Sequence, residues 1–469
     1  MHSLLLAPTA WAQLEVGSAQ LGDVRRTKRL VQVTTALAQN PHGTLPASFP
    51  DWKNLKAAYR LLEQDAVTHE RILAPHVERT RRAAQGPGTF LWIEDTTTLD
   101  FSGHPAAQDL GPVAKGHGRG FLAHNALVLR VEDWDRDGVP RVQVQGLAGQ
   151  QCWTRPEEPL KKKDKSKEGR LQRQRESRRW AQFGPPTDPP APHGQGIYVA
   201  DRESDIYEVF ERCAQRGMDF VIRACQPRAL AGEDQSVLAA VARARVRGHL
   251  HVALRARPGQ PARTARMALR ARTVTLRGPW RPEGRPAPRT VQVVEVREVR
   301  PPAGVVPVVW VLLTSLRCRT TAQIKRVVGL YTQRWLIEEF HKALKSGTQM
   351  EASQLETARG LQALCAVLSL VALRLVQSKL YARACPDAPV PASQWPRPAL
   401  RLLAAKVGRP AAGWTQRTVW RGIARLGGFI GRRGDGEPGW LTIWRGWRRL
   451  MIMMEGVELP HGKRTKKCG

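Results

Sequence analysis

Short unbroken apolar runs at residues 90–93, 196–200, 220–223 and 308–313 have the length and composition of strands buried on both faces. Residues 121–131 and 141–145 add strand-like segments, with turn chemistry at 135–138 between them, and 206–215 is helical in pattern. From about 230 to 307 the pattern changes to short β-like runs (251–254, 272–276, 290–296) between Pro- and Gly-rich turns, which predicts a small inserted β domain. The first 85 residues are helical in pattern. Leu21, Gly22 and Asp23 can end one helix and cap the next, ahead of apolar Leu30, Val31, Val33 and Leu37. An apolar segment at 361–376, interrupted by Ser369 and Arg374, is too short to cross a bilayer and predicts a buried helix. A Pro-rich linker at 386–398 leads to a helical piece with a Trp-rich end at 440–447. Three regions follow: a helical part (1–85), an α/β core (86–380) interrupted by the β insertion, and a linker with C-terminal helices (381–469).

The chain is organised around residues 331–345. No Pro or Gly interrupts them, strong helix formers dominate and Gly347 follows, so one long helix is expected. At about 100° per residue, Arg334, Glu338, Lys342 and Lys345 fall within roughly 60° of Tyr331, with His341 adjacent. Leu336, Phe340, Ala343 and Leu344 take the opposite, core-facing side. One face thus sets a carboxylate among groups suited to phosphate oxygens. A solvated face with a few i,i+4 pairs is the plainer alternative.

Charge sharpens this picture. Lys plus Arg number 74 against 41 Asp plus Glu, a net charge of +33 that suits a polyanionic partner, nucleic acid above all. Part of the excess has a bland source, since Arg, Ala and Pro are all frequent, as a GC-rich coding sequence would make them. The run at 161–167 reads equally as a solvated helix or as an arm tracking a nucleic-acid backbone. The seven cysteines are scattered without a C-x-x-C pair, which argues against a disulfide framework or zinc site and for a reducing compartment. Leu4, Leu5 and Leu6 are too short a run for a secretory signal, and a soluble protein without a membrane partner is expected.

Two acids, Asp95 and Asp201, are predicted at the carboxyl ends of buried strands, where open α/β sheets place their functional crevice. With Glu338 they would make three carboxylates in need of a counter-charge. Hard oxygen donors favour Mg²⁺ or Mn²⁺, and two such ions about 3.5–4 Å apart serve the attacking and leaving oxygens of a phosphodiester. Each acid alone is weak, because a strand-end Asp is more often a turn or cap residue.

On these residues the chain resembles the bacterial insertion-sequence transposases of the DDE type that share a Tyr-x2-Arg-x3-Glu-x6-Lys signature. Tyr331, Arg334, Glu338 and Lys345 match every position of it. Residues 21–27, 93–97, 201–205, 335–342 and 424–429 are also similar to that family, in order along nearly the whole chain. The resemblance implies an RNase H-like catalytic core with an inserted β domain, flanked by N-terminal and C-terminal helical domains. Asp95, Asp201 and Glu338 would be catalytic and would hold two Mg²⁺ ions, with Mn²⁺ as a substitute. It also implies excision of a mobile element through strand hydrolysis and a hairpin, then joining of the 3′-OH ends to target DNA.

A flipped base relieves the strain of the hairpin, and Trp310 matches the aromatic that stacks with it; Tyr331, Arg334 and Lys345 would hold the adjacent phosphate. A core aromatic is the plainer reading of Trp310, and a structural ion pair competes for Arg223, which matches a basic residue near the active site. Lys342 and His341 join this DNA-facing set. Arg25, Arg26, Lys28, Lys53 and Arg60 are candidates for reading the element ends. The implied partners are double-stranded DNA, both ends and target, and a second copy of the chain in a synaptic dimer, in a nucleoid-associated, cytoplasmic setting. Rival readings are a catalytically silent DNA-binding relic or regulator, a structure-selective nuclease, and a two-carboxylate glycosidase, which the charge disfavours.

Overall fold

The computed structural model describes residues 6–113, 118–157, 178–183, 194–254, 261–391, 395, 397–432 and 434–458. The basic run at 161–167, with most of the Pro/Gly-rich loop after it, lies outside the described residues. The chain forms two compact units, each discontinuous in sequence: Val77–Thr97 with Leu122–Glu338, and Met1–His76 with Thr98–Phe121 and Glu339–Gly469.

In chain order the helices before the sheet are α1 (Pro8–Val16), α2 (Val24–Gln39), α3 (Leu45–Ser48), α4 (Trp52–Leu62) and α5 (His69–Ala84). The strands are β1 (Gly88–Asp100), β2 (Gly111–Pro112), β3 (Arg119–Trp134), β4 (Pro140–Trp153), β5 (Gly194–Ala200), β6 (Asp219–Arg223), β7 (Val246–Leu254), β8 (Arg263–Leu276), β9 (Arg289–Glu298) and β10 (Val309–Thr314). Interleaved with them are α6 (Arg178–Phe183), α7 (Tyr207–Gln215) and α8 (Val237–Ala242). After β10 come α9 (Thr321–Thr332), α10 (Trp335–Lys342), a π turn (Ala343–Gly347), α11 (Ala358–Ala384), α12 (Arg397–Val407), α13 (Gln416–Leu426) and α14 (Trp440–Glu458).

The unit that ends at Glu338 is built on one sheet with strand order β4–β3–β1–β5–β6–β10–β9–β8–β7. β1, β5 and β6 run parallel in the middle, and antiparallel pairs flank them. The central strands are the short apolar runs of the sequence, buried on both sides as a parallel centre requires. Phe90, Trp92, Tyr198, Phe210, Phe220 and Ile222 form much of the core.

The β-rich stretch after residue 230 pairs onto the core sheet: β9 pairs with β10, and β8 and β7 follow, so these strands widen it. One expectation is corrected here: Asp95 does not stand at a strand end, because β1 runs on to Asp100. What ends near Asp95 is the β1–β5 ladder, whose last pair is Ile93 with Val199.

The other unit is helical. Its long α11, 27 residues with mean hydropathy high enough for a membrane span, has 83% of that apolar window buried, so packing accounts for its composition. It contacts α2, α4 and α13. Thr357 caps it, accepting from the Gly360 amide and donating to Glu63. Asp23 caps α2 as the sequence predicts, with Gly22 left-handed at φ 76° before it. Trp395, Trp420 and Trp447 cluster with ring centroids 5.0–6.4 Å apart, which absorbs the Trp-rich C-terminal pattern.

Candidate active site

The register of the sheet brings two acids level. With Ile93 opposite Val199 in a parallel pair, Asp95 and Asp201 each lie two residues past the last paired position, on one face of the sheet. Asp201 leaves its strand as the N-cap of a short 3-10 turn, accepting from the Arg202 amide at 2.6 Å. Asp95 accepts from the Thr96 amide at 2.8 Å.

The third acid arrives by a route the sequence did not predict. Residues 331–345 are not one helix. α9 ends at Thr332, the amides of Gln333, Arg334, Leu336 and Ile337 bond back only three residues, and α10 begins at Trp335. At the break the Thr332 hydroxyl donates to the Gly329 carbonyl at 2.6 Å, the acceptor that the Gln333 amide would use in a continuing helix. The π turn then ends the segment. A single helical wheel therefore does not apply across it, although Leu336, Ile337 and Phe340 are core residues, all at most 2% exposed. The start of the segment is held by the β3–β4 hairpin. Gly329 permits this contact, since a Cβ there would lie 2.1 Å from the Gly138 carbonyl oxygen. Lys325 pairs with Asp137 at 3.1 Å, and the Arg326 guanidinium covers the Trp134 ring.

The break aims Arg334 into the acids. Its Nη1 lies 3.3 Å from Asp95 and 3.8 Å from Asp201, and its Nη2 donates to Glu338 at 2.5 Å. One guanidinium thus touches all three carboxylates. Burial pushes Asp95 up to about 6, helped by the charges of Asp201 and Glu338 and opposed by Arg334 and the Thr96 amide. Burial likewise works against the charge of Arg334, but Tyr331 and the three acids outweigh it and raise its pKa.

Tyr331 is 6% exposed and reaches Arg223 rather than open solvent; burial raises its pKa, and Asp201 adds to the rise. Arg223 also donates to the Val309 carbonyl at 3.3 Å. Trp310 is half-buried, its ring 5.8 Å from that of Tyr331 and tilted by 58°. The structure thus gathers Asp95, Asp201, Glu338, Arg334, Tyr331, Arg223 and Trp310 within one unit.

The donor set fits a hard divalent cation: three carboxylates, one of them held up by burial, around a single positive charge. Among the described residues no three ligands are already gathered into a metal cage. Arg334 supplies the charge between them.

Three protein-family models match the chain: transposase DNA-binding over residues 8–67, transposase DDE domain over 176–374, and transposase Tn5 dimerisation domain over 397–464. The chain belongs to the DDE transposases. The mixed α/β sheet with flanking helices is the RNase H-like arrangement of that family, and a DDE domain makes the chain a DNA-cutting and DNA-joining enzyme of a class that uses divalent metal ions.

The transposase's remaining candidate residues lie in its helical unit. Lys345 is paired with Glu351 at 3.1 Å, and Lys342 is exposed, 3.9 Å from Glu339. His341 is 9% exposed and packs beside Phe340, which leaves little of its ring for DNA; the sequence placed it on the polar face because a wheel does not reveal tertiary cover. Arg25, Arg26, Lys28, Lys53 and Arg60 fall within the DNA-binding match. Arg25 forks onto Asp23, Arg26 donates to the Leu21 carbonyl at 3.0 Å, and Lys28, Lys53 and Arg60 are exposed.

Sequence reasoning missed three participants. Glu339 is buried and accepts from Lys379 at 2.8 Å and Trp440 at 2.6 Å. Glu351 holds Lys345, and buried Glu94, beside Asp95, bonds Tyr198 and His124. An unpatterned acid in an apolar strand was the available signal for Glu94.

Proposed function

We propose that this transposase excises a mobile element by hydrolysing one strand at each end, closing a hairpin on the other, reopening it, and joining the freed 3′-OH to target DNA. The observation that carries this reading is the contact of Arg334 with Asp95, Asp201 and Glu338 at once. Three acids at one point, with a phosphate-binding cation among them, are the parts that successive in-line phosphoryl transfers need.

Asp95, Asp201 and Glu338 would hold two Mg²⁺ ions, with Mn²⁺ as a substitute. When bound, such ions activate the attacking oxygen and stabilise the leaving one. Arg334 is then free to take a phosphate oxygen, which matches guanidinium geometry as well as a carboxylate does. Tyr331 and Arg223 brace that site from the side of Trp310, and Trp310 offers its ring to a base turned out of the duplex. Lys345 leaves Glu351 for a phosphate, and exposed Lys342 supports it.

The element ends are read by the helical residues 1–85, with Arg25, Arg26, Lys28, Lys53 and Arg60 contacting DNA. Residues 86–380 perform the chemistry, and 381–469 pair two copies in a synaptic complex. The chain would work in a cytoplasmic, nucleoid-associated setting, and its net charge of +33 suits association with DNA there.

The test is incubation of purified protein and Mg²⁺ with a duplex carrying the inverted repeat that flanks its reading frame, with products resolved on a denaturing gel. A nick followed by a hairpin-length product is expected. Binding without any cleavage would instead make the chain a silent DNA-binding relic or regulator.

A further inference from the structure

Strand alternation turns Glu94 and Thr96 to the face of β1 opposite Asp95. One imidazole joins them there. His124, from β3, has its Nδ1 2.8 Å from the Thr96 hydroxyl and its Nε2 3.3 Å from Glu94 Oε2. The ring thus bridges the two side chains, one nitrogen to each. The same Glu94 oxygen accepts from the Tyr198 hydroxyl at 2.9 Å. Tyr198 stands on β5 opposite Trp92, three residues before Asp201. The edge of Trp180 closes over the His124 ring at 4.6 Å. One buried cluster therefore grips both neighbours of Asp95 and ties its strand to the strand carrying Asp201.

This cluster is poorly explained as a stability device. Glu94, His124 and Tyr198 are all 0% exposed, and Tyr198 belongs to the main cluster of aromatic and aliphatic core side chains. Glu94 Oε1 has no hydrogen-bond partner among the described residues, and a well-packed apolar set in place of buried ionic groups is often as stable or more so. What the cluster does provide is a fixed pleat. His124 pins the Thr96 side chain, and the Thr96 amide donates to the Asp95 carboxylate at 2.8 Å.

We propose that His124, with Glu94 and Tyr198, is a positioning unit that sets the Asp95 carboxylate, and its spacing from Asp201, for divalent-ion binding. This rests on the assignment of Asp95 as a metal ligand. Outer groups that orient metal ligands change affinity by about 10–100-fold when altered.

The experiment measures Mn²⁺ binding by calorimetry to the full-length protein on uncleaved end-sequence duplex, together with DNA affinity and Tm. His124→Gln should weaken Mn²⁺ by about 10–100-fold, and Tyr198→Phe by a smaller but clear factor, with DNA affinity little changed and Tm reporting that each variant is still folded. Mn²⁺ affinity within about twofold of wild type in folded His124→Gln overturns the proposal; should that variant fail to fold, the same result in Tyr198→Phe overturns it. Asp95→Ala separates the two levels. Mn²⁺ binding that survives there removes the metal-ligand reading itself. Binding lost in Asp95→Ala but intact in the His124 and Tyr198 variants removes only the positioning role.

Discussion

Adjacent acids on α10 should fail in opposite ways. Glu339 and Lys379 are about equally buried, with side chains 7% and 8% exposed, and their 2.8 Å ion pair is completed by the Trp440 indole at 2.6 Å on the same oxygen. The Lys379 ammonium also sits 3.9 Å from the Trp440 ring centroid. Glu339→Gln keeps the shape but removes the carboxylate from this buried pair, and breaking one side of such a pair costs about 3–5 kcal/mol. At about 2–4 °C per kcal/mol for a unit of 150–250 residues, Tm should fall on the order of 10 °C.

Glu338→Gln removes a side chain that is 45% exposed, and its partner Arg334 keeps Asp95 and Asp201, so Tm should barely move while cleavage is lost. Replacing both partners, as Glu339→Leu with Lys379→Met, should recover most of the loss, because no charge then stays buried. Differential scanning fluorimetry of the four proteins decides it. A Glu339→Gln variant as stable as wild type would refute the assignment of Glu339 to structure and of Glu338 alone to chemistry.

Binding to end-sequence DNA should weaken steeply with salt, with a log–log slope of about −0.9 per phosphate neutralised; a flat dependence measured by fluorescence anisotropy would contradict the phosphate contacts. Trp310→Ala and Lys345→Ala should slow hairpin closure more than the first nick in single-turnover gels, and equal loss at both steps would remove their role at a flipped base. Gly347→Ala should be destabilising by about 1–3 kcal/mol, because a Cβ there would lie 2.6 Å from the Trp444 ring; an unchanged denaturation midpoint would show that the π turn can shift.

The parts of the site that were legible in sequence are those set by local pattern. The apolar runs before Asp95 and Asp201 are central strands; Asp201 directly follows the end of its strand, and the parallel register levels Asp95 with it. The rest depends on contacts distant in sequence. No Pro or Gly marks the break after Thr332, where a hydroxyl takes the Gly329 carbonyl. Nothing between residues 230 and 307 says that β9 will pair with β10 and so join the core sheet. Arg334 reads in sequence as a phosphate clamp alone, yet in the structure it is the counter-charge of the acids. Composition located the chemistry, and tertiary pairing determined its neighbours.

The most direct test compares wild type with Asp95→Ala, Asp201→Ala and Glu338→Ala on one end-sequence duplex, measuring affinity in Ca²⁺ and strand cleavage in Mg²⁺. The account predicts affinities within a fewfold of wild type and cleavage abolished in all three. Cleavage at a comparable rate in any one of them would contradict the assignment of that acid, and with it the three-carboxylate site around Arg334.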